Sequence, residues 1–477
     1  MLFRSSIVLE SRSRTDVERT IRAGILEQGT VEVLVETGAS DRVLTVGQRH
    51  DGIEIRSGTE SRRIDFPALC GRSVWLYPQH EVLTDLIARR LADNGDVRFE
   101  WTAEAVLDEA TASPRIVGMD PDGNPYELLA DFVVGADGSR SVVRAAVTGS
   151  SANGYFREYP FGWLGILCEA PPSSKELIYS SSDKGFALIS QRSETVQRMY
   201  LQCDPDLDAS TLSEAEIWDS LQARAGGNLR EGTIFQRDVL RFRSFVTQAF
   251  QKRNVFLMGD AAHTVPPTGA KGMNLAAGDA VLLDEAFREY YASANRGLLD
   301  TYESRALDRV WKGQHFSWWM TSMLHAAPHD TEFDRYRRLA ELRSVTSSAH
   351  GQGFLAENYT GLPFARTGRE TAPLRPLSSP KLRLPAQLTA ELSWDYAPDS
   401  INVLVTRPHL GEVPVPTAHR LVNQLTDVGF LERDAENRVR MGMRLREVAA
   451  RAPRPPGRRC ADGRGGGSGK RDGCRAG

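Results

Sequence analysis

Apolar and polar positions alternate with a period of two in some stretches of the chain and follow a helical period in others. Asp131 to Val134, Phe186 to Arg192 and Val255 to Met258 are short β-rich runs, whereas Asn274 to Arg288 carries helical spacing. Interleaved from Ile7 to about Phe364, these runs predict a body of mixed α/β and α+β character. Within one of them, alternation sets Phe186, Leu188, Ser190 and Arg192 on a single face, so an apolar wall ends in a hydroxyl and a guanidinium. A turn through Ser193 to Gln197 would return Arg198 to Gln202 alongside and bring Tyr200 near Arg192. From 365 to 385 the pattern dissolves into Pro, Arg and Ser, which reads as a linker. Helical spacing resumes from about Thr417 to Val448, with Leu421, Leu425 and Val428 on one side, Gly429 as a stop, and Val439 and Met441 able to start a returning strand. Residues 451 to 477 read as a disordered basic tail.

Composition narrows the field. The 477 residues are 41% hydrophobic and 25% charged, as in a globular protein of two or three folding units, which excludes disorder throughout. A net charge of -3 provides no global field for nucleic acid or an acidic membrane, so any such binding must be local. The five cysteines are scattered without a C-x-x-C pair, so neither a disulfide framework nor a metal site is expected. No apolar run reaches the ~18 residues that span a bilayer. We read the protein as cytoplasmic, without membrane partners.

Two strand-to-turn-to-helix passages carry candidate chemistry. In the first, Asp131 to Val134 runs through Gly135-Ala136-Asp137-Gly138 into Ser139 to Arg144, placing a carboxylate at a sharp turn that suits a diphosphate nucleotide. An isolated Asp-Gly is more often an ordinary surface turn. The second, Gly259 to Asn274, gathers glycines and two prolines around Asp260. That is a costly way to make a plain connection. There the Asp can accept from a polyol, and the helix opening near Met273 and Asn274 offers unpaired N–H groups and a positive dipole end. Arg192, Ser190 and Tyr200 converging on an apolar wall suit a small aromatic carboxylate, although Arg192 alone would read as a surface strand residue. Ile7 to Glu10 is like the second strand of a dinucleotide-binding βαβ unit, whose terminal acid bonds a ribose. The glycine fingerprint belongs ~20 residues earlier. We therefore expect the first strand and its Gly-rich turn to be missing, with a misplaced start in the gene model as the favoured explanation.

With these residues in view, Ile7 to Phe364 closely resembles the 4-hydroxybenzoate 3-monooxygenase family of single-component flavoprotein aromatic hydroxylases. The resemblance rests on IRAGILEQG at 21–29, YPFGWLG at 159–165, ELIYSSSDKGFALISQRS at 176–193, GDAAHTVPPTGAKGMNLAA at 259–277, FSWWMTSMLH at 316–325 and ENYTGLPF at 357–364. It implies a Rossmann-like FAD domain (about 1–160 and 250–300) interleaved with a β-sheet substrate domain (about 50–80 and 160–250), then a helical part over 300–364. It implies FAD as cofactor, NADPH or NADH as cosubstrate, O2 and 4-hydroxybenzoate as reactants, and a homodimer. Glu10, Arg22, Gln79, Asp137, Asp260, Met273 and Asn274 would hold FAD, and Arg144 and Arg243 the nicotinamide. Ser190, Arg192 and Tyr200 would grip the substrate carboxylate. Tyr179 would meet its phenolic oxygen, with the Pro267 carbonyl nearby and Tyr359 behind. His50 would end a proton relay at the surface, and without the resemblance it reads as an exposed loop histidine. The segment over 386–450 is similar to part of the winged helix-turn-helix of isocitrate-lyase-regulator transcription factors, where Thr417, His419 and Arg420 would face DNA. The alternative functions are an aromatic-acid-responsive DNA-binding regulator and an inactive remnant.

Overall fold

The computed structural model describes residues 6–20, 24–58, 60–364, 431–433 and 439–441. The chain divides into two compact units, Met1–Ser378 and Ser379–Gly477. In the second, the described residues form a two-stranded antiparallel hairpin that pairs Leu431 with Met441 and Arg433 with Val439. The return at Val439 and Met441 matches the expectation, but Leu431–Arg433 is strand where helical spacing was read on; Gly429 ends that spacing two residues earlier. Thr417, His419 and Arg420 lie outside the described residues.

The first unit is built on an eight-stranded mixed sheet. Its strands run in the order His263–Thr264, Thr233–Thr247, Gly154–Glu169, Val196–Cys203, Gly185–Gln191, Leu177–Ser182, Gly52–Ser57, Glu60–Asp65. All neighbours are antiparallel except Leu177–Ser182 with Gly52–Ser57, where Leu177 aligns with Ile53. The strand expected at Phe186 to Arg192 is observed as Gly185–Gln191. Its period of two separates two cores. Phe186 and Leu188 join Tyr179, Tyr200 and Trp163 on one face, and Ala187 and Ile189 join Met199, Leu201 and Ile178 on the other. Cover on both faces explains why FALI reads as one apolar run rather than as a clean alternation.

Helix Glu214–Ala225 covers the second face with Ile217, Trp218 and Leu221, and it starts on a capping box made by Ser213 and Glu216. Full burial of Leu221 is worth roughly 2–3 kcal/mol. Helix Tyr302–Leu324 covers the first face with Phe316, Met320 and Leu324.

Parallel strands form two smaller sheets: Ile7–Glu10 with Asp96–Phe99, and Val133–Gly135 with Val255–Leu257. The latter pair packs with Phe250, Ala261, Leu282, Leu283 and Tyr302 in a core of its own. Helix Gly272–Ser293 is longer at both ends than the expected Asn274 to Arg288. Among the described residues no helix is long and apolar enough to cross a membrane.

Candidate active site

The hairpin of Gly185–Gln191 and Val196–Cys203 turns tightly, and the backbone N–H groups of Arg192 and Ser193 both donate to the Val196 carbonyl. That register sets Ser190 opposite Arg198 and Leu188 opposite Tyr200. Tyr200 therefore shares the Phe186 and Leu188 face, but Arg198 is the residue directly across from Ser190. The Arg198 guanidinium lies over the Tyr200 ring, 5.1 Å from its centroid. Desolvation pulls the Arg192 guanidinium down to about 10, with Arg198 adding to the fall and Tyr200 opposing it. It remains cationic at neutral pH, and a carboxylate brought beside it would offset the desolvation.

Along the same face, Tyr179 lies fully buried with its hydroxyl 2.7 Å from that of Tyr359, which projects from helix Ala349–Thr360. Tyr179 also donates to the Thr268 carbonyl at 3.4 Å. The carbonyl of Pro267, next to Thr268 in the chain, accepts from Ala270 N–H within a 3₁₀ turn. Burial raises both tyrosine hydroxyls above their usual range, and at neutral pH the pair is a chain of neutral O–H groups.

His50 is not the exposed loop histidine of the plain reading. It closes strand Gln48–His50 and is 2% exposed, so it does not sit at the surface. Neither ring nitrogen has a hydrogen-bond partner among the described residues, and desolvation lowers its basicity against the pull of Glu176 and Asp51.

On the cofactor side many of the named polar side chains are engaged with the fold. Asp137 accepts from Ser141 Oγ at 2.5 Å and from the N–H groups of Val142 and Val143 at 2.8 and 3.2 Å, so its carboxylate clamps the start of helix Val142–Thr148. Arg144 donates to the carbonyls of Ser151, Ala261 and Ser139 at 2.8, 2.8 and 2.5 Å, and burial lowers its basicity. Arg243 reaches the same Ser139 through its hydroxyl at 3.0 Å. The Asn274 amide accepts from Glu27 N–H and Thr30 Oγ1 and donates to the Ile25 and Ala270 carbonyls, all within 2.9 Å. Glu10 ends its strand with the carboxylate folded onto Arg12 N–H at 2.9 Å. Gln79 is the first residue of helix Gln79–Ala92. Arg22 lies outside the described residues.

What stays open there is backbone and one carboxylate. Asp260 is exposed in the turn Gly259–Ala261, directly after strand Val255–Leu257. At the start of helix Gly272–Ser293, the N–H groups of Gly272, Met273 and Asn274 have no helical carbonyl to serve them. A Cβ placed on Gly272 would meet nothing nearer than Val265 Cγ2 at 4.0 Å, so this end is accessible to a ligand.

Two buried ionic groups escaped the sequence reading. Lys271 Nζ donates to Glu27 Oε1 at 2.6 Å and to the carbonyls of Asn358 and Tyr359, and Arg309 approaches the other Glu27 oxygen at 3.3 Å. Asp279 accepts from Gly259 N–H at 2.9 Å and lies 2.7 Å from His263 Nε2, which ties the Asp260 turn to the following helix. Partners up to 282 residues apart leave no local signal beyond the presence of a charge in an apolar stretch.

Residues 4–317 match the family model described as an FAD binding domain. The p-hydroxybenzoate hydroxylase of Acinetobacter baylyi is 39% identical over 363 residues, covering 75% of this chain and 89% of that protein. A probable NADH-specific resorcinol 4-hydroxylase of Rhodococcus jostii is 24% identical, covering 63% of this chain and 57% of that one. Among solved structures, p-nitrophenol 4-monooxygenase from Pseudomonas putida superposes with a TM-score of 0.61 at 19% identity, over 74% of this chain and 92% of that one; this likeness speaks for the fold. Fold and site together define a flavin-dependent aromatic monooxygenase. Within that class, the chain belongs to the p-hydroxybenzoate hydroxylase family of FAD-binding monooxygenases. The open N–H groups before Asn274, the space at Gly272 and the exposed Asp260 carboxylate fit FAD, which needs donors for a ring that becomes electron-rich and an acceptor for its polyol.

Proposed function

We propose that the protein converts 4-hydroxybenzoate to 3,4-dihydroxybenzoate, consuming O2 and one NAD(P)H and releasing water. The observation that carries this reading is a single buried sheet face with a cationic end at Arg192 and a paired-hydroxyl end at Tyr179 and Tyr359. A para-hydroxybenzoate has the matching polarity, with a carboxylate for Arg192, Ser190 and Tyr200 and a phenol for Tyr179. Bound FAD supplies the redox chemistry that activates oxygen.

The chain's own residues then have defined tasks. Arg192 fixes the carboxylate and so fixes which ring carbon faces the oxygen donor. Tyr179 shares a hydrogen bond with the phenolic oxygen and passes its proton toward Tyr359, which favours the phenolate, the form whose ring attacks more readily. The Pro267 carbonyl would lie near the phenolic oxygen, beside the Thr268 carbonyl that Tyr179 meets, and His50, buried and with no hydrogen-bond partner among the described residues, is a candidate for the far end of this proton path. The apolar face excludes water that would divert activated oxygen into peroxide. Glu10 and Asp260 would accept from ribose and ribityl hydroxyls, with Arg22 and Gln79 as further FAD contacts, and the N–H groups at Met273 and Asn274 would meet the flavin's pyrimidine edge. Asp137 and Arg144 would act by holding the cofactor's surroundings, with Arg243 the more accessible contact for the nicotinamide. A cytoplasmic location goes with the need for NAD(P)H. A homodimer goes with the exposed Trp311 and Tyr155, whose rings meet edge to face at 5.8 Å.

The test is direct. Purified full-length protein should be yellow, and 4-hydroxybenzoate should accelerate NAD(P)H oxidation with formation of 3,4-dihydroxybenzoate. A flavin-loaded protein whose NAD(P)H oxidation ignores 4-hydroxybenzoate would overturn the assignment.

A further inference from the structure

Trp163 lies in the wall of the proposed substrate pocket, its ring 4.7 Å from Tyr200 and 5.5 Å from Phe186 between centroids. Its indole N–H is a donor with no acceptor among those rings. His325, the residue that ends helix Tyr302–Leu324, supplies one: Trp163 Nε1 lies 2.7 Å from His325 Nε2. Because indole nitrogen can only donate, Nε2 must be the bare nitrogen and the imidazole proton must sit on Nδ1. There it finds the Thr321 carbonyl at 2.9 Å. One tautomer and one ring orientation follow. The ring is held further by Phe161, stacked at 4.9 Å and 5°, and by Phe186 at 4.2 Å.

The connection continues past His325. Thr321 Oγ1 meets Thr268 Oγ1 at 2.9 Å, and the Thr268 carbonyl is the one that accepts from Tyr179. A continuous line of buried contacts therefore joins Tyr200, at the carboxylate end, to Tyr179, at the phenol end, through Trp163, His325, Thr321 and Thr268. Each of these six is no more than 6% exposed. Thr321 and His325 are four residues apart on one helix, so both ends of the pocket are referred to one rigid element.

Resting on the aromatic-acid reading above, we infer that His325 is a positioning residue: through Trp163 and Thr321 it fixes the distance between the two ends of the pocket and thereby the length of acid accepted. Removing the acceptor leaves the Trp163 N–H unpaired in an apolar core, and the indole must tilt to find another partner, releasing Tyr200. The pocket then tolerates a longer acid and holds the shorter one less well. A role confined to stability would lower the melting temperature without changing the preference between acids.

The experiment measures dissociation constants by tryptophan fluorescence for 4-hydroxybenzoate and for its homologue with one more methylene, 4-hydroxyphenylacetate, on the full chain loaded with FAD. His325→Leu should weaken 4-hydroxybenzoate binding about tenfold and shrink the preference for it over the longer acid by a similar factor, the scale of one lost hydrogen bond. His325→Gln, which can accept from the indole and donate to the carbonyl, should recover most of the preference. If His325→Leu does not fold, Trp163→Phe removes the donor instead and should relax the preference in the same way. A folded, flavin-loaded variant whose preference stays within about twofold of wild type overturns the inference. Should the wild-type protein prefer a different acid, the assignment to 4-hydroxybenzoate falls. The positioning role is then read from that acid and its one-carbon homologue.

Discussion

The substrate end and the cofactor end of this molecule use their polar side chains in opposite ways. Around the sheet face, Tyr179 and Tyr359 bond to each other and belong to the same buried cluster as Tyr200, so the groups proposed to recognise the substrate are side chains set on strands and a helix. On the cofactor side Asp137, Arg144 and Asn274 are engaged with helix starts and backbone carbonyls, and backbone N–H groups are what remain to meet a ligand. On the proposed reading, a motif residue can serve the cofactor by holding the backbone that meets it. Substitutions at the first end should impair recognition in a stable protein, and substitutions at the second should impair the protein and lose the cofactor as a result.

The comparison is tested most strongly by Arg192→Ala, which should raise KM for 4-hydroxybenzoate by two to three orders of magnitude, about 3–4 kcal/mol, with flavin content unchanged. Steady-state NAD(P)H oxidation checks this, and a melting temperature that fell in step would place Arg192 with the structural group instead. Asn274→Ala should do the reverse. It leaves several buried partners unpaired and should cost about 2–4 kcal/mol in denaturant unfolding, with substrate KM little changed in whatever fraction keeps its flavin. The buried His325 offers a pH test. Desolvation, opposed by its bond to Thr321, lowers its value to about 3, below the ~6.5 of an unfolded chain. Between those values the unfolded chain binds a proton that the native protein does not. Its contribution is therefore complete above about pH 6.5 and declines as pH falls, by about 1.4 kcal/mol per unit. Unfolding curves at pH 5 and 7 should show this slope diminished in His325→Leu. The smallest effect is expected from Asp137→Ala, about 1 kcal/mol for loss of a helix clamp, with a modest rise in the FAD dissociation constant. A loss of flavin binding at unchanged stability would return Asp137 to the direct contacts.

Local pattern was enough to read the strands and the faces they present. The alternation in Phe186 to Arg192 named the residues of one face, and the apolar run at Val255 located the strand ahead of Asp260. Sequence could not supply pairing at a distance. Trp163 and His325 are 162 residues apart, Asn274 and Glu27 247 apart, and neither pair has a period or spacing that links it. Register was also beyond reach, because a turn one or two residues shorter moves Arg198 into the place next to Ser190. An exposed-loop reading of His50 fails because nothing local to Asp51-Gly52 signals the pairing of Gln48–His50 with Val74–Leu76 or the burial of the ring.

The lone parallel junction of the large sheet, between Ile53 and Leu177, has a cost during synthesis. The hairpin of Gly52–Ser57 and Glu60–Asp65 leaves the ribosome more than a hundred residues before the strand it must join. Until then its inner edge is unpaired and available to other nascent chains. Expression at lower temperature, or with a holdase present, should raise the soluble yield for this reason.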